Sequence, residues 1–322
     1  MAFELKVKIS PVDPLNRPGF VPPLNPLGPL AELPGTWIGK GFNQIWRPFN
    51  PMTTSDRFLE LNLTQETLEF SSSIGDIPNR GLLQPDIALD GLHYLQQITD
   101  TLTDKGIHVE PGFWVTVPVT SNPAEPATVA RMASIPHGTT VNAQGTGLTV
   151  NGGPIINPVS IRPFPIGGTP LANTALAFPP FNEADLTVGT TFRLPNPIPP
   201  SVSQQMVNNP NSVLTAAIAG QTITKTTVLT VSTTAPAVPP PPAAPNVGGG
   251  TDNIAFLQGG PAGPNAQAAQ MTATFWIEHV AASGHEPAFL QLQYTQTVLL
   301  NFNGLSWPHV SVATLRKHRH HH

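Results

Sequence analysis

The sequence predicts an all-β protein, a single antiparallel lipocalin-like β-barrel of about eight to ten strands with long Pro-rich loops. Three observations predict it. Apolar and polar residues alternate in run after run, the period of a strand with one buried face. Charged residues are only 11% of the chain, against roughly 25% in soluble domains, so Thr, Asn, Gln and Ser must cover the surface in place of the Glu, Lys and Arg of helices. Proline (39) and glycine (27) together break the chain too often for long helices and suit strands joined by irregular connections.

Residues 1–30 form a Pro-rich N-terminal arm, and the irregular character continues to residue 34. A single barrel domain is expected over 31–317. It opens on AELPGTWIGKGFNQIWRP (31–48), where Gly35, Trp37, Gly39 and Gly41 alternate. Such glycines let a first strand bend and approach its neighbour closely, while the tryptophan plugs a closed barrel end. Further strands are predicted at 58–70, which puts Leu59, Leu61 and Leu63 on one face, and at 91–99, 108–118, 127–135, 222–231, 271–280, 289–300 and 309–317. Residues 146–270 are rich in insertions and are expected to add peripheral elements. One short helix is predicted within 202–219, interrupted by Pro210. Residues 235–250 read as a Pro/Gly loop, and 318–322 as a tag whose histidines are set aside as metal ligands.

Composition also narrows function. With no cysteine, disulfides, thiolate nucleophiles, iron–sulfur clusters and thiolate-ligated haem are excluded. A net charge of −4 without a basic stripe gives no footprint for nucleic acid. No apolar run approaches a membrane span or a signal peptide, so no membrane partner and a cytoplasmic location are expected. Nucleophile elbows, phosphate loops and His-Glu-x-x-His are absent from the sequence.

The ordered set GTWIGKG, HYLQQIT, HVEPGFW, ATVARMASIPHGTTVNAQG and WPHVSVATLRK resembles the nitrobindin family of haem-binding barrels. The likeness covers 31–145 and 271–317 and leaves 146–270 without counterpart, so the chain reads as an enlarged relative. Tyr94, Gln96 or Gln97 and Thr99 fall in the family's third-strand motif. His108, Glu110, Gly112 and Trp114 fall in the fourth, and His309, Ala313, Leu315 and Arg316 in the last. The resemblance implies haem b with His309 as iron ligand, a pocket that also includes His108, Trp37 and Gln96, and a small ligand such as nitric oxide or peroxynitrite. Two departures stand out. Asn43 occupies the place of a further glycine, and FNQIWRPFNP replaces a Tyr-Pro segment.

A strand histidine pointing inward shares its face with residues two and four away, here Ser311, Ala313 and Leu315. Two small neighbours would leave room for a macrocycle, although Val310, Val312 and Thr314 make an equally good core face. His108 reads either as a pocket histidine or as one at the barrel rim, and Pro111-Gly112 could introduce a bulge that changes which residues point in. His93, His137, His279 and His285 are weaker candidates for a non-haem metal. Two other functions stay open: a haem-dependent peroxidase-like enzyme for a larger organic substrate, and a haem-free carrier of an apolar small molecule. Part of 146–270, which includes the Pro-rich 235–250 segment, is expected to cover the barrel's open end.

Overall fold

In the computed structural model, which describes residues 26–49, 56–169, 181–234 and 249–318, ten long strands close one antiparallel barrel. They are β1 (Gly35–Pro48), β2 (Arg57–Phe70), β3 (Ile87–Asp100), β4 (Lys105–Val117), β5 (Thr128–Ile135), β6 (Thr139–Asn151), β7 (Ile223–Ser232), β8 (Gln267–Val280), β9 (Phe289–Phe302) and β10 (Leu305–Lys317). Each pairs with its neighbours in sequence. β10 then returns to β1, from Trp37↔Lys317 to Gln44↔Val310, so the barrel is up-and-down and its main sheet has no open edge.

The expected peripheral stretch 146–270 needs correction, because it also contains barrel wall: the end of β6, the predicted strand at 222–231 as β7, and the start of β8. The sequence reading passed over β6 because Gly145 and Gly147 interrupt its alternation. Neither position has room for a side chain. A Cβ on Gly145 would lie 1.8 Å from the Thr230 carbonyl oxygen, and one on Gly147 2.5 Å from Pro29. Gly39 on β1 is equally confined, 2.1 Å from the Thr314 carbonyl oxygen. This is the close approach expected of the opening strand.

One barrel end is filled. Leu27, Leu30 and Leu33, around a 3-10 turn at Gly28–Leu30, seal it against Trp37, Phe70, Trp114, Phe275 and Leu315. Trp37 is fully buried and its Nε1 donates to the Leu33 carbonyl at 2.7 Å, so it plugs this end. Of the predicted Pro-rich arm, residues 1–25 lie outside the described residues, as do 235–248 of the Pro/Gly loop and 319–322 of the tag.

A second apolar core lies on the outside of the same wall. Phe42, Trp46, Leu59, Leu61, Trp276 and Trp307 of the barrel pack against Ile161, Phe181, Val202, Val207 and Leu214 of the connection between β6 and β7. That connection holds two short helices, Gln204–Asn208 and Ser212–Ala217, separated at Pro210 as predicted. Outward-facing glutamines tie it down. Gln44 Nε2 donates to the Met206 carbonyl (2.7 Å) and Gln293 Nε2 to the Leu214 carbonyl (3.0 Å). Arg193, itself buried, gathers the carbonyls of Glu183, Asp185 and Val188. The wall of β1, β2, β9 and β10 is therefore buried on both faces.

Glu278, on β8, is fully buried, with Gln291 Nε2 donating to Oε2 at 2.6 Å and no partner for Oε1 among the described residues. Burial pushes its pKa up to about 7 against the lowering effect of Gln291. A carboxyl whose pKa is raised by folding binds more protons folded than unfolded. Its contribution is complete below the unfolded value of 4.5 and is lost as pH rises through about 7. Wild type should therefore lose about 3 kcal/mol across that window relative to Glu278→Gln. Urea midpoints of both proteins at about pH 5 and about pH 8 measure it, and parallel shifts in the two proteins would remove Glu278 from the account.

Candidate functional site

The unsealed half of the barrel encloses a cavity of about 700 Å³, within the roughly 300–1,000 Å³ of small-molecule and cofactor sites. Three of the four predicted pocket residues, His309, His108 and Gln96, line it. Trp37 belongs to the sealed end and is not among the lining residues. Apolar walls come from Ile98, Ile135, Val141, Val298 and Leu300, while Arg47 and Lys105 stand with Leu102 at the exposed rim. Leu194 and Pro195 from the β6–β7 connection and Leu257 from the short helix Ala255–Gln258 also reach the lining. The insertions thus coat the outer wall and contribute to the cavity lining.

His309 and Ser311 face the cavity, and Ala313 and Leu315 continue the same face into the sealed core. Val310 and Val312 point into the outer core. The side-chain amide of Asn43, Nδ2, donates both to His309 Nε2 (2.7 Å) and to Ser311 Oγ (2.7 Å), while Asn62 Nδ2 donates to Asn43 Oδ1 (3.3 Å). An amide nitrogen only donates, so His309 Nε2 is the unprotonated nitrogen. Burial, then the neighbouring His108 and His137, hold the ring's pKa down to about 3. His309 is a neutral imidazole at any ordinary pH.

Below it lies a buried polar network with two carboxylates. Glu110 accepts from Arg131 and Tyr94 on one oxygen and meets His108 Nε2 at 3.2 Å with the other. Arg131 Nε also donates to Tyr94 Oη (2.9 Å) and Nη1 to Gln296 Oε1 (2.6 Å), and its guanidinium lies against Tyr94, Trp114 and Phe275 at 5.2–5.8 Å from their ring centres. Burial pushes the Glu110 carboxyl up, but Arg131 and then His108 and Tyr94 more than reverse this, leaving it at about 2. Glu66 has no ion-pair partner among the described residues. It accepts from Thr64, Tyr294 and Gln96, and burial outweighs these bonds and raises its pKa.

The His-x-Glu-x-Gly-aromatic motif has a packing reason. His108, Glu110, Gly112 and Trp114 alternate inward without a bulge at Pro111-Gly112, and a Cβ on Gly112 would lie 2.7 Å from the Tyr94 ring. The irregularity comes instead between Ile98 and Thr99, opposite His108 and Gly106. His108 stacks on His137 from the β5–β6 turn, with ring centres 5.6 Å apart. The other weak candidates disperse. His93 and His285 are exposed, and His279 Nε2 pairs with Glu32 Oε1 at 2.6 Å. Among the described residues no three His, Asp or Glu groups converge as a metal-ion site.

Asn43, Arg131, Glu66, Tyr294 and Gln296 were not singled out as pocket residues. For Arg131 a signal existed, a lone cation inside the apolar run ATVARMASI. Among the described residues no helix is long and apolar enough to cross a membrane. No protein-family model matches the chain, and no curated protein does. Among solved structures, the chain is similar to the crystal structure of Rv2717c from M. tuberculosis, at 13% identity and a TM-score of 0.37 over 91% of this chain and 98% of that one. At that score the likeness adds nothing to the architecture, which rests on the strand pairing: a closed ten-strand antiparallel barrel with a histidine-lined interior cavity.

Proposed function

We propose that the cavity binds haem b, with His309 as the axial ligand. The observation that carries this reading is the neutral His309 imidazole on the wall of a largely apolar cavity. The surrounding residues fit the group. Ser311 beside His309 and Ala266 and Ala268 elsewhere on the lining are small, and Arg47 and Lys105 at the rim suit carboxylate side arms. A bound haem supplies a Lewis-acidic, redox-active iron to a small ligand. The protein's own part is to keep His309 unprotonated, to exclude water with the apolar walls and to present His108 to whatever shares the cavity. The resemblance described above makes nitric oxide or peroxynitrite the first ligands to try, and a peroxidase-like oxidation the alternative activity.

The test is to titrate ferric haem into haem-free protein and follow the Soret band. Wild type is expected to take up one equivalent with a histidine-ligated spectrum. His309→Ala should lose that spectrum while keeping its far-ultraviolet β signature. Uptake by the variant with an unchanged Soret position removes His309 from the ligand role.

A specific observation favours a second reading, a haem-free carrier of an apolar molecule. Asn43 Nδ2 already satisfies His309 Nε2, so iron must displace that amide or bind Nδ1. In a haem protein Asn43→Ala should speed haem uptake, whereas a carrier of apolar ligands gives no Soret complex in either form.

A further inference from the structure

Glu110 is an ionised carboxylate held in place by Arg131 and Tyr94. A carboxylate only accepts hydrogen bonds, so the ring nitrogen facing it, His108 Nε2, carries the proton. In the neutral ring this leaves the lone pair on Nδ1, to which no described residue donates, in a side chain that lines the cavity and is 16% exposed. His309 is arranged the other way, with its bare nitrogen already engaged by Asn43. The cavity thus holds one imidazole that is satisfied and neutral and another that is oriented by a buried anion with its basic nitrogen free. Differently tuned groups in one site mark distinct roles, and base, orienting carboxylate and open basic nitrogen form the arrangement of a general base.

The remaining surroundings suit proton transfer. The titratable and charged groups around His108 are Glu66 from β2, Asp100 from β3, Glu110 from its own strand, Arg131 from β5, His137 from the β5–β6 turn and His309 from β10. Asp100 Oδ1 is engaged by the Leu102 and Thr103 amides. His137 is exposed to solvent and stacked on His108, so this side of the cavity meets water. Gln296 gives its Oε1 to Arg131, so its NH₂ end is a donor on the cavity lining for a developing anion.

We infer that His108 is a general base for the cavity's ligand, with Glu110 as the residue that positions it, and that the ligand it serves is a small protic molecule of the phenol class. The apolar walls take the ring and His108 Nδ1 takes the hydroxyl proton. The O–H bond breaks with its electron pair left on oxygen, an N–H bond forms at Nδ1, and the positive charge comes to rest against the Glu110 carboxylate. No oxidant or reductant is needed. This inference requires the cavity to be a ligand site, as in the reading above, but not iron on His309.

The probe is 4-nitrophenol, whose phenolate absorbs at longer wavelength than the phenol, added to haem-free protein below the pH at which it ionises in water. Wild type is expected to bind it as phenolate. His108→Gln should bind it with the ionised fraction reduced at least about tenfold, a shift of one pH unit or more, and His285→Gln, at an exposed histidine outside the cavity lining, should leave the ionised fraction as in wild type. Glu110→Gln disturbs the Arg131 pair and can fail to fold. The tautomer is therefore read separately in unsubstituted protein, where nitrogen NMR should show His108 protonated at Nε2 and bare at Nδ1. The inference is overturned by failure of folded wild type to bind the probe, by neutral bound phenol, by equal ionisation in His108→Gln, or by a proton on Nδ1. Haem uptake is scored by the Soret titration, so either reading can fail alone.

Discussion

Replacing Arg131 with methionine is expected to lower the unfolding free energy by about 3–5 kcal/mol, the cost of leaving a buried charge without its partner. Arg131 and Glu110 are each about 1% exposed, and the guanidinium also serves Tyr94 and Gln296. Without it, only His108 and Tyr94 oppose the effect of burial on Glu110, and the carboxyl must either take up a proton or stay charged in a dry interior. The double variant Arg131→Met/Glu110→Gln should recover a large part of the loss, because what costs stability is the orphaned charge more than the missing attraction. The pH dependence gives a second check. Glu110 is depressed from 4.5 to about 2 by folding, so its contribution is present above 4.5 and disappears as pH falls through about 2. In Arg131→Met that acid-side loss should shrink, and Glu278, which loses its contribution on the alkaline side, should then dominate the profile. Urea midpoints across this range measure both effects. A single variant costing under about 1 kcal/mol would mean that the pair is not buried as described.

The barrel was legible because most of its strands keep strict alternation, from Leu92-Tyr94-Gln96-Ile98 on β3 to His309-Ser311-Ala313-Leu315 on β10. What alternation could not decide was which face points in. On β2 the leucines Leu59 and Leu61 face outward into the second core, while Glu60 and Asn62 line the cavity and Glu66 accepts from the interior Tyr294 and Gln96. On β10 the valines Val310 and Val312 do the same opposite His309. Hydropathy marks a buried face by assuming that the other one meets water, and here the other face meets the β6–β7 connection. β6 is hard to read for a related reason, since its glycines admit the β7 backbone at Thr230 and the Pro29 ring of the 3-10 turn and carry no hydropathy signal. The candidate site was legible at His309, His108 and Gln96 through motif order. Arg131, Tyr294 and Gln296 come together from β5 and β9, and their relation to Glu110 and Glu66 exists only once the barrel closes.

Truncating Trp307 to alanine is the second change expected to cost about 3–5 kcal/mol, the usual effect of emptying a large buried aromatic site. Trp307 is fully buried, stacked on Phe302 with ring centres 4.7 Å apart, tilted on Trp46 at 5.5 Å and edge-on to Phe181 at 6.0 Å. Its Nε1 donates to the Phe302 carbonyl at 2.9 Å, and Arg57 lies 5.7 Å from its ring centre. Phe181 belongs to the connection and the rest to the barrel, so the ring is where the cover is fastened. Leu83, 73% exposed, is the control and should change stability by less than about 0.5 kcal/mol when truncated. If cover and barrel unfold as one unit, Trp307→Ala should shift a single transition while tryptophan fluorescence and far-ultraviolet signal stay coincident. The same variant should be cut first within the β6–β7 connection by a protease at low dose, because that segment loses the Phe181–Trp307 contact with the wall. A cover that is cleaved no faster in the variant than in wild type would show that its hold comes from the polar ties of Gln44 and Gln293. Because Trp307 lies two residues before His309 on β10, the variant also asks whether the outer core sets the ring's position in the cavity. An unchanged Asn43–His309 contact with a lowered midpoint would place the wall's stability outside the barrel and its chemistry inside.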